Sequence, residues 1–316
     1  MGVPSDRGSR ADGPPRDFVG YGAVPPVVHW PHGARVAVSL VVNYEAGAEY
    51  SYEAGDQRRE TVGEFGFAIN PTRLGVPDLC IESTFEYESR AGTWRLARIL
   101  DEYGVPATFN CCGRALDHNP EIGAYISAAG HEAMAHGWRW EEAWRLSREQ
   151  ERELIERAVR SIESACGARP VGWHSRCTPS SQTRELIVAE GGFLYDSDAY
   201  NDDLPYFVEI RGSRHLVVPY SLTFNDMRFA FPGYADPMSF FTYLKMGLDD
   251  LWDEGATHPK MMTIGVHGRW AGQPGRARAL RDFIDYARGR GQIWFARRSD
   301  IAQWWLDHHD EFRRQP

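Results

Sequence analysis

The chain repeats a pairing of a short apolar segment with an amphipathic one, and this repetition limits its fold more than any other feature. Residues 35–43 form an almost continuous apolar, β-branched run, which is typical of a buried parallel strand. Residues 92–103 have the apolar spacing of a helix and end at Gly104, a residue suited to a helix C-cap. Strand–helix pairs of this kind predict an α/β fold whose parallel sheet closes, or nearly closes, into a barrel.

The same kind of spacing predicts the other elements. Ser147 and Gln150 form the pattern of a capping box, so a helix is predicted from Ser147 to Cys166. The region 47–85 is interrupted by glycine and proline and is predicted to be a long loop. Further strands are predicted at 105–111, 132–136, 171–174, 193–195, 207–210, 215–220, 260–266 and 293–296, and further helices at 119–130, 182–190, 239–254, 276–288 and 299–307.

Composition narrows the functional classes. The 316-residue chain has a formal net charge of −9, which argues against nucleic acid or an anionic membrane surface as a partner. No apolar run reaches the roughly 20 residues that span a bilayer. Residues 1–16 are predicted to be a disordered tail without a secretory signal, and residues 17–316 a single domain. Five cysteines without a CxxC pair indicate reduced thiols and a cytoplasmic protein.

Polar residues follow the predicted strands at the ends where the loops of a (β/α) barrel converge on one pocket. Each of them alone has a structural explanation, such as a turn former or a hydrogen-bonded core histidine, but together they favour an active site. The set comprises Asn43, Glu45, Cys111, His136, Trp140, Arg176, Asp196, Asp198 and His267. Cys111, with Cys112 beside it, is predicted to be a core residue rather than a nucleophile.

The segment His136-Gly137-Trp138-Arg139-Trp140 is the most informative member of this set. Two histidines four residues apart often bind one metal ion, because a single turn directs both imidazoles to it. Here Trp140 stands at the second position and cannot ligate a metal. The segment therefore has the spacing of a metallohydrolase motif, with an aromatic side chain in place of one ligand.

Taken in chain order, these segments resemble the motifs of the polysaccharide deacetylase (NodB-type) family, metal-dependent deacylases with a distorted (β/α) barrel. The matching segments are 43–45, 136–140, 173–179, 195–198 and 264–267. The resemblance is closest to the deacetylase-like allantoinases of bacterial purine breakdown and to cyclic-imide hydrolases, through residues 17–22, 81–90, 136–140 and 194–206. It extends from about Asp17 to Trp305, nearly the whole chain.

The resemblance implies a distorted (β/α) barrel and a hydrolase that opens the ring of a small cyclic ureide or imide, such as allantoin. The family's metal site needs an aspartate and two histidines, whereas this chain offers Glu45, His136 and Trp140. We therefore expect a site that requires no cofactor. Zinc remains an alternative, in which Glu45 and His136 are weak ligands completed by another residue such as His118, His131 or His174.

This chemistry suggests catalytic roles for the polar residues at the strand ends. Glu45 is predicted to be the base that activates water, provided that the pocket raises its pKa. His267 is predicted to be the acid that protonates the departing nitrogen, or the residue that orients that acid. Arg176 is predicted to bind a carbonyl or a developing anion through its planar guanidinium. His136 is expected to polarise the carbonyl or to position the water.

The predicted substrate-binding residues are Trp138, Trp140, Asn43 and Asp198. The two tryptophans would stack on a flat ring, and Asp198 would orient Arg176 or His136. The particular cyclic amide remains open, because much of the pocket lining would come from the loop after Glu45. The aromatic surplus, with 11 Trp, 14 Tyr and 15 Phe, also indicates a buried interface in a homo-oligomer.

Two other functions compete with this one. A metal-dependent carbohydrate or peptidoglycan N-deacetylase is disfavoured by the expected cytoplasmic location and by the missing second histidine. A non-catalytic barrel that only binds a ligand is disfavoured because Glu45, His136, Arg176 and His267 are all present.

Overall fold

The computed structural model describes residues 14–60, 75–176, 179–229 and 236–312. Most of the predicted disordered tail, residues 1–13, lies outside the described residues, as do residues 61–74 of the predicted long loop. The strands are β1 (Val36–Tyr44), β2 (Thr108–Cys111), β3 (Glu132–Ala135), β4 (Gly172–Trp173), β5 (Tyr195–Asp196), β6 (Tyr206–Ile210), β7 (Ser213–Val217), β8 (Lys260–His267) and β9 (Ile293–Phe295).

One sheet joins these strands in the order β6-β7-β5-β4-β3-β2-β1-β8, and β9 pairs with the first residues of β1. Every pair is parallel except the β6–β7 hairpin. An isolated parallel bridge between Asn225 and Gly265 draws the segment after β7 toward β8. The sheet therefore curls into a partly closed barrel, which confirms the predicted α/β class and the distorted (β/α) barrel.

The helices are α1 (Leu79–Tyr87), α2 (Thr93–Tyr103), α3 (Gly113–His118), α4 (Pro120–Ala128), α5 (Arg148–Cys166), α6 (Thr183–Glu190), α7 (Pro237–Glu254), α8 (Arg276–Arg290) and α9 (Arg298–His308). The capping box at the start of α5 is present, with Ser147 and Gln150 bonded reciprocally. The helix C-terminus predicted at Gly104 is also confirmed, and this glycine adopts a left-handed conformation.

Two helices depart from the sequence-based expectation. Most of α1 lies in the region that was predicted to be a loop. The Asp78 side chain caps it, and it buries Ile81 and Phe85 on one face. The short helix α3 was not predicted, because six residues carry too little periodicity to distinguish a helix from a turn.

The core lies on both faces of the central strands. All nine residues of β1 are buried, which explains why its sequence is apolar throughout rather than alternating. Cys111 and Cys112 are fully buried, so their predicted core role is confirmed. Where the structure describes the chain, none of its helices combines the length and apolar composition needed to cross a membrane.

Candidate active site

The carboxyl ends of β1, β3 and β8 bring three predicted site residues together. Glu45 directly follows β1, His136 directly follows β3, and His267 is the last residue of β8. The register places Asn43 of β1 beside His267, so the polar residues emerge at the same level of the sheet. All three side chains are almost completely buried. The rule that barrel chemistry gathers at the strand ends therefore located this cluster from sequence.

Glu45 is the centre of the cluster. Its Oε1 lies 3.1 Å from His136 Nε2, and its Oε2 lies 3.7 Å from His267 Nε2. The same Oε2 lies 2.7 Å from Nη2 of Arg269, an arginine that the sequence analysis did not single out. Two imidazoles and a guanidinium thus surround one buried carboxylate.

This environment determines the ionisation state of Glu45. Burial by itself would raise the pKa of its carboxyl group. The Arg269 guanidinium, the hydrogen bond with His136 and the nearby His267 more than offset burial, so the pKa lies well below its ordinary value. The expectation that the pocket raises this pKa is therefore wrong. A carboxylate held ionised is a weak base, although it binds cations and N–H donors well.

The hydrogen bonds of His136 show what this residue can do. Its Nδ1 lies 2.5 Å from the backbone carbonyl oxygen of His174, which can only accept a hydrogen bond. Its Nε2 faces the ionised carboxylate of Glu45, which also only accepts. Both ring nitrogens therefore face acceptor atoms of the protein. His136 contacts Glu45 through Nε2, and both of its ring nitrogens are engaged with protein atoms rather than directed at a substrate carbonyl.

His267 has a different arrangement. Its Nδ1 lies 2.6 Å from Asp226 Oδ1 and donates to that carboxylate, while Nε2 faces Glu45 Oε2 at 3.7 Å. The second carboxylate oxygen of Asp226 accepts hydrogen bonds from the backbone N–H groups of His267 and Ala271. The aspartate thus fixes both the orientation and the tautomer of the imidazole, as a general base requires. Asp226 lies 41 residues from His267 in the chain and was not predicted.

A second layer of side chains supports this cluster. Asp198 accepts hydrogen bonds from the backbone N–H and the hydroxyl of Ser175, at 2.6 and 2.7 Å. Its Oδ1 also lies 3.3 Å from His174 Nδ1. The predicted role of Asp198 is therefore corrected: it orients Ser175 and His174, rather than Arg176 or His136. The His174 ring stacks between His136 and Tyr220, with centroid distances of 5.3 and 4.5 Å.

Asn43 lies at the floor of the site and is fully engaged with protein groups. It accepts a hydrogen bond from Asn110 and donates to the Tyr220 hydroxyl and to the backbone carbonyl of Val266. This network ties β1, β2 and β8 together beneath Glu45. Asn43 also lines the cavity, and its role in substrate binding stays a prediction.

The cluster opens into a cavity of about 830 Å³, its mouth included. Arg176 and Trp140 line it, and the Arg176 guanidinium lies 3.6 Å from the centroid of the Trp140 ring. Trp138 is not among the lining residues of this cavity, because its ring is held between Asp117 and the guanidinium of Arg157. Its predicted stacking role is therefore not supported. The other aromatic walls are Phe85, His174, Tyr200, Tyr220 and Trp270.

The side chains around Glu45 do not match a zinc site. In the described ranges, no group of three or more His, Cys, Asp or Glu side chains is arranged to hold a metal ion. Trp140 lies against the cavity where the usual spacing would place a second imidazole, and the Arg269 guanidinium lies against Glu45 Oε2. His118 and His131 are not placed to complete a zinc site with Glu45 and His136, since neither lines the cavity.

A second acidic residue near the site has an unusual environment. Glu49 is 8% exposed, and its Oε2 has no hydrogen-bond partner within the part of the chain that the structure describes. Burial, with a smaller contribution from the negative charge of Glu88, raises its pKa from 4.5 to about 7. Glu49 does not line the cavity, so its titration should affect folding rather than chemistry.

We expect the substitution Glu49→Gln to stabilise the protein at pH 8 but much less at pH 5. Between pH 4.5 and about 7 the unfolded chain has lost the Glu49 proton while the folded chain keeps it, so wild-type stability falls as the pH rises through this window. The pKa difference corresponds to about 3 kcal/mol at most. Urea unfolding of both proteins at the two pH values measures the effect. Equal differences at both pH values would contradict it.

Comparison with known proteins agrees with this architecture. The sequence profile of the polysaccharide deacetylase family matches residues 75–190. A Schizosaccharomyces pombe protein named "Putative polysaccharide deacetylase" is 36% identical, over 93% of this chain and 98% of its own length. The chain therefore belongs to the polysaccharide deacetylase family.

Two solved structures have a higher sequence identity to this chain than the Schizosaccharomyces pombe protein has. A probable polysaccharide deacetylase from Pseudomonas aeruginosa PAO1 is 44% identical, with a TM-score of 0.88 over 93% of this chain and 99% of the other. PuuE allantoinase is 42% identical, with a TM-score of 0.88 over 93% of this chain and 98% of the other. Within the family, the similarity thus includes the allantoinase branch that the sequence motifs indicated.

Proposed function

We propose that this protein is an amidohydrolase that opens the ring of a small cyclic ureide or imide, with allantoin as the first candidate. The observation that carries the proposal is the Glu45 cluster, with His267 and Arg176, at an aromatic-walled cavity. The similarity to PuuE allantoinase over nearly the whole chain supports the same substrate class.

The cavity suits a flat, polar ring. Trp140, Tyr220 and Trp270 present aromatic faces, against which a planar ureide or imide can stack. Arg176 and Asn225 line the same cavity and offer N–H donors for ring carbonyls. A small ring with carbonyl and N–H groups fits a cavity that is lined by both aromatic and polar side chains.

In this proposal, His267 acts first as the base and then as the acid. Its Nε2 takes a proton from water, whose oxygen forms a bond to the ring carbonyl carbon. The electron pair of the carbonyl moves to oxygen, where the Arg176 guanidinium stabilises the negative charge. When the ring C–N bond breaks, the proton on His267 passes to the departing nitrogen. The product is the open-chain carboxylic acid, which ionises in solution.

Glu45 has a different part in this scheme from the one that the sequence suggested. Because its pKa is depressed, it is a poorer base than an imidazole with a free lone pair. Its Oε2 and His267 Nε2 are 3.7 Å apart, a separation that allows one water molecule to bond to both. We therefore assign to Glu45 the orientation of the attacking water, with His136 holding the carboxylate in place.

A substrate panel tests the proposed function. Allantoin, hydantoin, succinimide and dihydrouracil would be offered to protein treated with a chelator, with and without added Zn²⁺. We expect ring opening of at least one of them at a rate that neither the chelator nor zinc changes. N-acetylglucosamine oligomers form the comparison arm. Acetate release from them, with no ring opening in the panel, would replace the proposal with an N-deacetylase.

We also propose a cellular location, a type of partner and an oligomeric state for this enzyme. We propose a cytoplasmic enzyme of purine breakdown whose partner is a small molecule rather than nucleic acid or a membrane. The net charge of −9 and the free thiols of the four described cysteines support this setting. We also propose a homo-oligomer, supported by three exposed apolar side chains on α7, namely Met238, Tyr243 and Met246.

A further inference from the structure

We propose that the Arg269 guanidinium is the permanent cation of this site and takes the position on Glu45 that a divalent metal ion would otherwise need. Arg269 acts through Glu45 and is therefore a positioning residue. The proposal concerns the same site as the proposed function, but it is tested without any substrate.

The contacts of Arg269 support this role. Its Nη2 lies 2.7 Å from Glu45 Oε2, and its Nη1 lies 2.6 Å from Glu88 Oε2. The residue is only 4% exposed, and Glu88 is fully buried. Two buried carboxylates thus share one guanidinium. A buried charge is stable only when it is paired and hydrogen-bonded, so neither carboxylate is independent of Arg269.

Three aromatic rings also lie close to the guanidinium. Its central carbon lies 4.5 Å from the Trp270 ring centroid, 5.3 Å from that of Phe85 and 5.5 Å from that of Trp140. A planar guanidinium suits such faces, because it is weakly hydrated and is attracted to their negative potential. Trp140, the residue that interrupts the metal motif, is therefore also part of the wall around the replacement cation.

The backbone is shaped to bring Glu88 and Arg269 together. Glu88 begins a five-residue π-helical turn, Glu88–Gly92, a feature that often occurs at functional sites. A Cβ atom on Gly92 would overlap the carbonyl oxygen of Gly268, and one on Gly268 would lie 2.8 Å from Glu88 Cγ. Glycine at both positions therefore allows the turn and the loop after β8 to touch.

Glu88 also connects this arrangement to the end of β1. Its Oε1 accepts hydrogen bonds from the backbone N–H groups of Glu45 and Ala46, at 2.6 and 3.1 Å. The same carboxylate thus positions both the backbone of Glu45 and the cation on its side chain. Unlike a metal ion, the guanidinium is covalently attached to the chain, and it does not lose its proton in a protein. The carboxylate of Glu45 is therefore paired with a cation at all times.

Zinc binding in a set of variants tests the inference. The background is Trp140→His, which adds an imidazole four residues after His136 and so completes a three-ligand set with Glu45. In this background Arg269→Met removes the cation at similar length, and Arg269→Lys keeps the charge. Calorimetric titration with Zn²⁺, without substrate, gives the dissociation constant of each variant.

We expect Trp140→His/Arg269→Met to bind Zn²⁺ at least 100-fold more tightly than Trp140→His alone or Trp140→His/Arg269→Lys. We also expect the single variant Arg269→Lys to retain more ring hydrolysis than Arg269→Met. Equal zinc affinity with and without Arg269 would overturn the inference, and so would the absence of tight binding in the folded Arg269→Met double variant. Near-ultraviolet circular dichroism establishes folding.

If the double variant does not fold, Glu88→Gln added to it removes the carboxylate left without a partner while keeping Glu45. The same comparison of zinc affinities then applies. The two proposals can fail separately. If the wild-type protein hydrolyses no member of the substrate panel, but the variants without Arg269 bind Zn²⁺ more tightly as expected, the proposed substrate class is refuted and the role of Arg269 stands.

Discussion

The substitution Glu45→Gln should reduce kcat for ring opening by about 10³-fold or more, a loss in the range seen when a preorganised electrostatic group is removed from an active site. Glutamine keeps the shape of the side chain but loses the charge. His136 and Arg269 then face a neutral amide, and the attacking water loses the acceptor that orients it. Steady-state kinetics on the substrate that the panel identifies gives the measurement.

Glu49→Gln is the matched control for this prediction. It changes another buried glutamate four residues away that does not line the cavity. At pH 6 most wild-type Glu49 is already protonated, given its pKa of about 7, so the substitution changes little there. We expect near wild-type kcat for the control. Full activity in Glu45→Gln would refute the role of Glu45, and equal losses in both variants would indicate damage to the fold instead.

His267→Gln is expected to reduce kcat by about 10²–10⁴-fold, the usual contribution of a general acid–base residue. The substitution removes the nitrogen that takes the proton from water. Asp226→Asn should produce a loss of similar size while His267 is still present, because the asparagine amide no longer holds the proton on Nδ1. Measuring kcat and KM separately distinguishes a loss of proton transfer from weaker substrate binding. We expect neither substitution to raise KM by a factor similar to the fall in kcat.

His215 offers the control for that prediction. It is a buried histidine whose Nε2 lies 3.1 Å from the carboxylate of Asp196, and it does not line the cavity. His215→Gln therefore disturbs a comparable buried pair without touching the site. Retained turnover in His267→Gln, or an equal loss in His215→Gln, would show that His267 is not the proton carrier.

Much of the fold could be predicted because its signals are local. A strand buried on both faces, such as β1, is apolar throughout. The capping-box residues Ser147 and Gln150 mark the first turn of α5. The helix α1 was missed because its signals, an aspartate cap and two buried side chains, are weak within a glycine-rich region.

The candidate site was predicted in part for a similar reason. In a parallel barrel, the residues at the strand ends face the same pocket. The predicted strand ends were therefore enough to select Glu45, His136, Arg176 and His267 as candidate site residues. Trp138, which was selected from the same motif, does not line this cavity, because its ring is held between Asp117 and Arg157.

The sequence by itself determined the barrel, the family and the side chains that end its central strands, since these depend on periodicity and on motifs within short segments. Only the tertiary structure decided how Glu45 is charged and which groups the histidine nitrogens contact. Arg269 and Glu88 are 181 residues apart, and no local pattern links them. Electrostatic interactions depend on distance and burial rather than on chain order, so the low pKa of Glu45 emerges only once the chain has folded.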